Sequence, residues 1–212
     1  MNLVLLGAPG AGKGTQAAML TQKLGIPSIS SGNMLREAMA NETDLGKCVK
    51  PYMDEGSLVP DELVIALVME RTARADCKKG YILDGVPRTL AQAKTLDAMG
   101  VQIDYVVSIE VDDAVIEERM TGRRVCQKCG ASYHIVANPS KTEGICDVCG
   151  ASLTIRADDT PETVRHRLEV YHAATESLKG YYAAQGKLLL VKGDQPIEDA
   201  NRDILRAMGE TV

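Results

Sequence analysis

Along the chain, short unbroken apolar runs alternate with segments whose apolar residues recur every three or four positions. Asn-Leu-Val-Leu-Leu at 2–6 ends at Gly7, the pattern of a parallel-sheet strand covered on both faces. A Gly-rich stretch follows, then a helical pattern to Leu24, stopped by Gly25 and Pro27. The unit recurs. Residues 81–83 lead through Asp84-Gly85 to a helix over about 89–99, residues 105–109 to a helix over 112–121, and residues 187–191 to a last helix over about 196–208. Such alternation with short connections predicts a doubly wound α/β fold.

Two segments interrupt it. Residues 31–59 read as mostly helical, with Ser31 and Asp44 as expected N-caps. Residues 122–159 hold four of the six cysteines and Gly130, Gly144 and Gly150. After them, Asp159-Thr160-Pro161-Glu162 predicts the start of a long helix, with Asp159 as N-cap and Pro161 in the first turn. Both segments read as insertions on one core, without internal repeats.

Composition narrows the choices. The 212 residues are 45% hydrophobic and carry a net charge of −5, with no Phe and no Trp. A chain of this size buries roughly 70% of its unfolded surface, here in an aliphatic core. Missing aromatics argue against a stacking platform for bases, and the acidic balance against a broad phosphate-backbone surface, so no nucleic-acid partner is expected. The apolar start is too short for a secretion signal. The longest apolar run, 63–69, falls far short of the ~20 residues a membrane span needs. A cytoplasmic protein without membrane contact is expected, its cysteines thiols or metal ligands.

Gly7-Ala8-Pro9-Gly10-Ala11-Gly12-Lys13-Gly14-Thr15 matches G-x-x-x-x-G-K between a strand and a helix. Glycines let backbone N–H groups wrap a phosphate, and Lys13 can follow the β/γ-phosphates. The hydroxyl that usually follows the lysine is displaced by Gly14 to Thr15. Cys126-x₂-Cys129 and Cys146-x₂-Cys149 form a second motif, whose two turns each aim two sulfurs at one ion. Four protein ligands leave no open position, so the site is structural; Zn²⁺ suits it best, and iron or cobalt would also fit. His134 then reads as a polar surface residue, and Cys48 and Cys77 as spare thiols. Arg36, Arg88, Arg119, Arg123, Arg156 and Arg167 flank the insertions or strand ends, Arg88 following Asp84-Gly85-Val86-Pro87 where open α/β sheets bind ligands.

With these motifs, Ile-Ser-Ser-Gly-Asn-Met-Leu-Arg at 29–36 and Gly-Arg-Arg at 122–124, the chain resembles the adenylate kinases, specifically the bacterial long-lid form with a metal-carrying lid. The resemblance spans nearly the whole sequence. It implies a five-stranded parallel core (1–29, 60–121 and 160–212), an AMP-binding domain at 30–59 and a lid at 122–159. It also implies that Ser31, Arg36, Ser57, Leu58, Val59, Gly85, Val86, Pro87, Arg88 and Gln92 hold AMP. Gly10, Ala11, Gly12, Lys13, Gly14, Thr15, Arg119, Arg123, Ser132, Tyr133 and Gln195 would hold ATP, Arg156 and Arg167 would span the transferring phosphoryl group, and Asp84 would hold the water shell of Mg²⁺. A monomer using ATP, AMP and ADP is expected. Three positions depart from the common pattern: Val86 and Ala137 replace frequent aromatics, and Asn33 an aspartate. Adenine is then expected to rest on Arg119, backbone groups and the aliphatic walls of Leu58, Val59 and Val86.

Three other readings compete. A kinase for another nucleoside monophosphate is the nearest. A P-loop NTPase switch would leave the Asp-Gly-Val-Pro-Arg loop without a use, and a zinc-ribbon nucleic-acid binder conflicts with the charge.

Overall fold

The computed structural model describes residues 1–210; Thr211 and Val212, part of the expected core segment, lie outside the described residues. Strand β1 (Asn2–Leu6) occupies the middle of a parallel sheet, between β3 (Tyr81–Asp84) and β4 (Tyr105–Glu110). The edges are β2 (Ser28–Ser30), beside β3, and β8 (Leu188–Lys192), beside β4. Leu3 and Leu5 point into one core with Leu20, Ile82, Val107 and Ile204, while Val4 and Leu6 point into another with Leu83, Val106, Val68 and Leu96. Both faces are covered, which is why the strand sequence is apolar without alternation.

Helices α1 (Lys13–Leu24) and α9 (Ile197–Ala207) pack together on the first face. On the second lie α4 (Asp61–Thr72), α5 (Leu90–Ala98) and α8 (Leu178–Ala183). Tyr182 is the largest fully buried side chain and the rest of that set is aliphatic, as the missing Phe and Trp require. Buried Gln16 and Asn201 tie α1 to α9: Gln16 Nε2 donates to the Ile197 carbonyl (2.9 Å), and Asn201 Nδ2 donates to Gln16 Oε1 (3.0 Å).

The first insertion folds into α2 (Ser31–Ala40) and α3 (Asp44–Glu55). They meet so closely at Gly46 that a Cβ there would lie 2.1 Å from the Ala38 carbonyl oxygen. Strand β2, which a single apolar residue between two serines did not announce, ends at Ser30 immediately before α2. Both expected caps shift by one residue. Ser31 is inside α2, and Thr43 caps α3 by accepting from Gly46 N (3.0 Å).

The second insertion is a small antiparallel sheet of β5 (Arg123–Cys126), β6 (Ser132–His134) and β7 (Leu153–Thr154), with β5 central. It leaves the core after α6 (Asp113–Gly122) and returns at α7 (Pro161–Val170). Thr160 caps α7, accepting from Thr163 N (3.2 Å), whereas Asp159 is drawn away into a buried ion pair. His134 also differs from expectation. It is half-buried against Gly122, its Nδ1 accepts from Val136 N and Ala137 N (3.1 and 3.0 Å), and its Nε2 is buried. Helix α7 runs through a π turn (Tyr171–Thr175) towards α8.

Candidate active site

The loop from β1 to α1 folds tightly because three glycines adopt positive φ. A Cβ at Gly7 would meet the Ile109 carbonyl oxygen at 2.7 Å, and one at Gly10 would meet Met120 Sδ at 2.9 Å. Lys13 opens α1 and folds back across the loop, its Nζ donating to the carbonyls of Gly7 (2.7 Å) and Ala8 (2.9 Å). Burial pushes its ammonium down to about 8; Asp84 opposes that shift, while Arg88, Arg167 and Arg123 add to it.

This loop forms the floor of a cleft of about 1100 Å³ at the carboxyl end of β1, where the strand order reverses and open α/β sheets hold ligands. Arg36 from α2, Arg88 from the loop after β3, Arg123 and Arg156 from the second insertion, and Arg167 from α7 all line it. Burial lowers Arg36 to about 10 and Arg156 to about 9, and lowers Arg88 and Arg167 as well; mutual repulsion among the guanidiniums contributes to each shift. Arg156 Nε is buried without a hydrogen-bond partner among the described residues. Such crowding is costly unless anions neutralise it.

Part of the compensation is internal and was missed in the sequence. Asp159, fully buried at its side chain, accepts from both Nε (2.7 Å) and a terminal nitrogen of Arg123 and from Arg167 NH1 (3.2 Å). The Asp158 carbonyl accepts from the same Arg167 nitrogen (2.9 Å), and its carboxylate forms an ion pair with it (2.9 Å). Asp159 reads in the sequence as a helix N-cap, and nothing in the local pattern marks either carboxylate for distant arginines.

Beside the cleft a narrower pocket is lined by Ser31, Leu35, Met53, Ser57, Leu58, Val59, Val64, Gly85, Arg88 and Gln92. The Ser31 hydroxyl donates to the Gly85 carbonyl (2.8 Å). Gln92 is held firmly: its Oε1 accepts from Arg88 N (2.7 Å) and its Nε2 donates to Asp61 Oδ1 (2.7 Å). Pro87 and Leu58 line the main cleft. Val86 does neither. Its side chain is fully buried in the core with Val59, Val64 and Ala93, so it forms no pocket wall, against expectation.

On the other side, Gly10 to Thr15, Arg119, Ser132, Tyr133 and Gln195 line the main cleft together with Asp84 and Gly85. Arg119 donates to the Gly193 carbonyl (2.8 Å), and Gln195 Nε2 is spent on the Lys192 carbonyl (2.9 Å) and Asp203 (3.0 Å). Asp84 Oδ2 lies 3.8 Å from where a Cβ on Gly14 would stand, which places this carboxylate against the start of α1. Asn33 Oδ1 accepts from Arg36 (2.9 Å), and its Nδ2 lies 3.1 Å from a Cβ position on Gly130, so the two insertions meet over the cleft.

The sulfur atoms of Cys126, Cys129, Cys146 and Cys149 all lie within 4.8 Å of one another, a spacing that fits one tetrahedral ion held by four thiolates. Burial opposes ionisation of Cys146, but hydrogen bonds from Tyr133 and from the Cys149 and Val148 N–H groups bring it down to about 6. Tyr133 Oη also accepts from Asp147 N (2.8 Å), tying the wall of the cleft to the second knuckle. Cys77 is buried and Cys48 exposed, both away from the quartet.

The assembled cleft is a cationic cradle with a side pocket, suited to aligning phosphates. No helix is long and apolar enough to cross a membrane among the described residues. The sequence model of the adenylate kinase family matches residues 5–187. Adenylate kinases of Caldicellulosiruptor bescii and Lachnospira eligens are 54% and 52% identical, each alignment covering 99% of this chain and 99% and 100% of the relative. That of Clostridioides difficile is 49% identical over 99% of both chains. Matched end to end, with the phosphate loop, arginine cluster and cysteine quartet in one structure, the chain belongs to the adenylate kinase family.

Proposed function

We propose that the chain catalyses reversible phosphoryl transfer from MgATP to AMP, giving two ADP. The observation that carries this is the convergence of Lys13, Arg36, Arg88, Arg123, Arg156 and Arg167 on one cleft beside a separate side pocket. ATP would lie along the phosphate loop between Arg119, Ser132, Tyr133 and Gln195, with AMP in the pocket of Ser31, Ser57, Leu58, Val59 and Gln92. Arg36 and Arg88 would then take the AMP phosphate.

The attacking oxygen belongs to a phosphate already anionic near neutral pH, so no general base is required. Alignment and positive charge around a loose, metaphosphate-like transition state do the work. Lys13, Arg88, Arg123, Arg156 and Arg167 supply that charge from fixed positions. Asp84, which lines the cleft, would hold the water shell of Mg²⁺, and the ion would add positive charge at the phosphates. Residues 30–59 act as the AMP-binding domain and 122–159 as a lid whose closure excludes water, the competing nucleophile. The quartet takes Zn²⁺ as a structural ion, which supplies folding free energy to a segment too small for a core of its own.

A coupled ADP-production assay with ATP and each nucleoside monophosphate in turn tests the reading. AMP should be the preferred acceptor. Turnover of UMP or CMP without AMP would replace the substrate, and ATP hydrolysis without any acceptor would favour a P-loop switch.

A further inference from the structure

After Arg167 the helix departs from α geometry. At Tyr171–Thr175 it widens to a π turn, in which Glu176 N donates to the Tyr171 carbonyl (3.1 Å), five residues back. Such turns are rare inside helices and concentrate at functional sites. Its extra residue rotates every side chain that follows. Here that rotation points Thr175 at Arg88. A threonine in a regular helix usually turns its hydroxyl back to the carbonyl three or four residues earlier. The buried Thr175 hydroxyl instead donates to the Arg88 carbonyl oxygen at 2.8 Å, across 87 residues of sequence.

Arg88 is held at three points. Its N–H donates to Gln92 Oε1 (2.7 Å), and its Nε donates to the Gly85 carbonyl (2.9 Å). Gly85 lies in the same loop, and Gln92 sits on α5, where Asp61 of α4 holds it (2.7 Å), so these two bonds anchor Arg88 to its own side of the cleft. Thr175 belongs to the helical run that carries Arg167, so its bond fixes the loop against that helix.

We propose that Thr175 is a positioning residue, its hydroxyl delivered by the π turn to hold Arg88 in register with Arg167 on the transferring phosphoryl group. This rests on the reading of Arg88 and Arg167 as phosphoryl-binding groups. A small misplacement of a charge aimed at a transition state costs turnover more than ground-state affinity.

The test compares Thr175→Val, Thr175→Ala and Thr175→Ser with Arg88→Met in steady-state kinetics, with thermal unfolding run beside each. Val and Ala should lower kcat roughly tenfold or more, with KM for ATP and AMP within about twofold. Ser restores the hydroxyl and should restore kcat. In an Arg88→Met background, Thr175→Val should cost no further turnover, because the group it positions is gone. Thr175→Ala serves if Thr175→Val does not fold. Undiminished kcat in Val and Ala would overturn the proposal, as would equal losses in Ser and Val or an undiminished loss in the Arg88→Met background. Native kcat in Arg88→Met alone would instead overturn the reading of Arg88, and the proposal with it.

Discussion

Val86 shows how a position's role depends on where its side chain points. By sequence it stands in the loop beside Arg88, and the family resemblance places it in the adenine wall. In the structure it is fully buried among Val59, Val64 and Ala93. A larger side chain there would have to displace its buried neighbours or push through them toward the side pocket that Val59 and Val64 line. Val86→Phe should therefore overpack the core and destabilise the fold by about 1–3 kcal/mol, measurable by urea unfolding. AMP affinity should not rise. A stable variant with tighter AMP binding would return Val86 to the pocket. Asp159 carries the same lesson from the opposite side: Thr160 took its capping place, and its carboxylate serves Arg123 and Arg167. Chain-distant partners of this kind leave no local mark in a sequence.

Strands and helices were easier to read than single contacts. Strands β1, β3 and β4 stood out because both their faces are buried, which makes them largely apolar, and the edge strand β8 because its run is apolar even though Leu190 is exposed. Strand β2 did not, since Ser28 and Ser30 flank one apolar residue and the pairing with β3 supplies what the sequence pattern lacks. The lid sheet was equally hidden: β6 and β7 are three and two residues long, and the quartet organises them more than any periodicity does. Thiol spacing was legible because ligand geometry demands it; the tie from Tyr133 to the second knuckle was not. A consequence concerns stability by parts. With the ion removed by a chelator, residues 122–159 should lose amide protection while β1, β3 and β4 keep theirs, as read by hydrogen exchange. Full protection of the lid after verified ion removal would show that it holds itself together.

Charge is the property that joins all parts of the molecule. The chain as a whole is acidic, yet its cleft gathers Lys13, Arg36, Arg88, Arg123, Arg156 and Arg167 against Asp84, Asp158 and Asp159. The phosphate loop and the Arg88 loop were visible as motifs, but only the fold brings Arg36, Arg156 and Arg167 to them. The empty cleft is therefore a destabilised state. Lys13 has a folded pKa of about 8, below its ordinary 10.5, so the folded protein releases this proton first as pH rises. Between those values the unfolded chain binds more protons, and linkage makes its contribution to stability increase with pH. Nucleotide-free protein should gain stability from this group between about pH 8 and pH 10.5. Lys13→Met should lack that increment, and saturating ATP should flatten it by keeping the lysine charged. Identical pH profiles of unfolding for Lys13→Met and the native protein would refute the assignment.

The order of strands also sets an order of events during synthesis. Central β1 emerges first and gains β3 and then β4, but the far edge of β4 pairs only with β8 at Leu188–Lys192. The lid, α7 and α8 must all be translated before that edge is covered. At ~5–20 residues per second the delay lasts several seconds. Throughout that interval the nascent chain presents the backbone edge of Val106, Val107 and Ile109 unpaired at the ribosome.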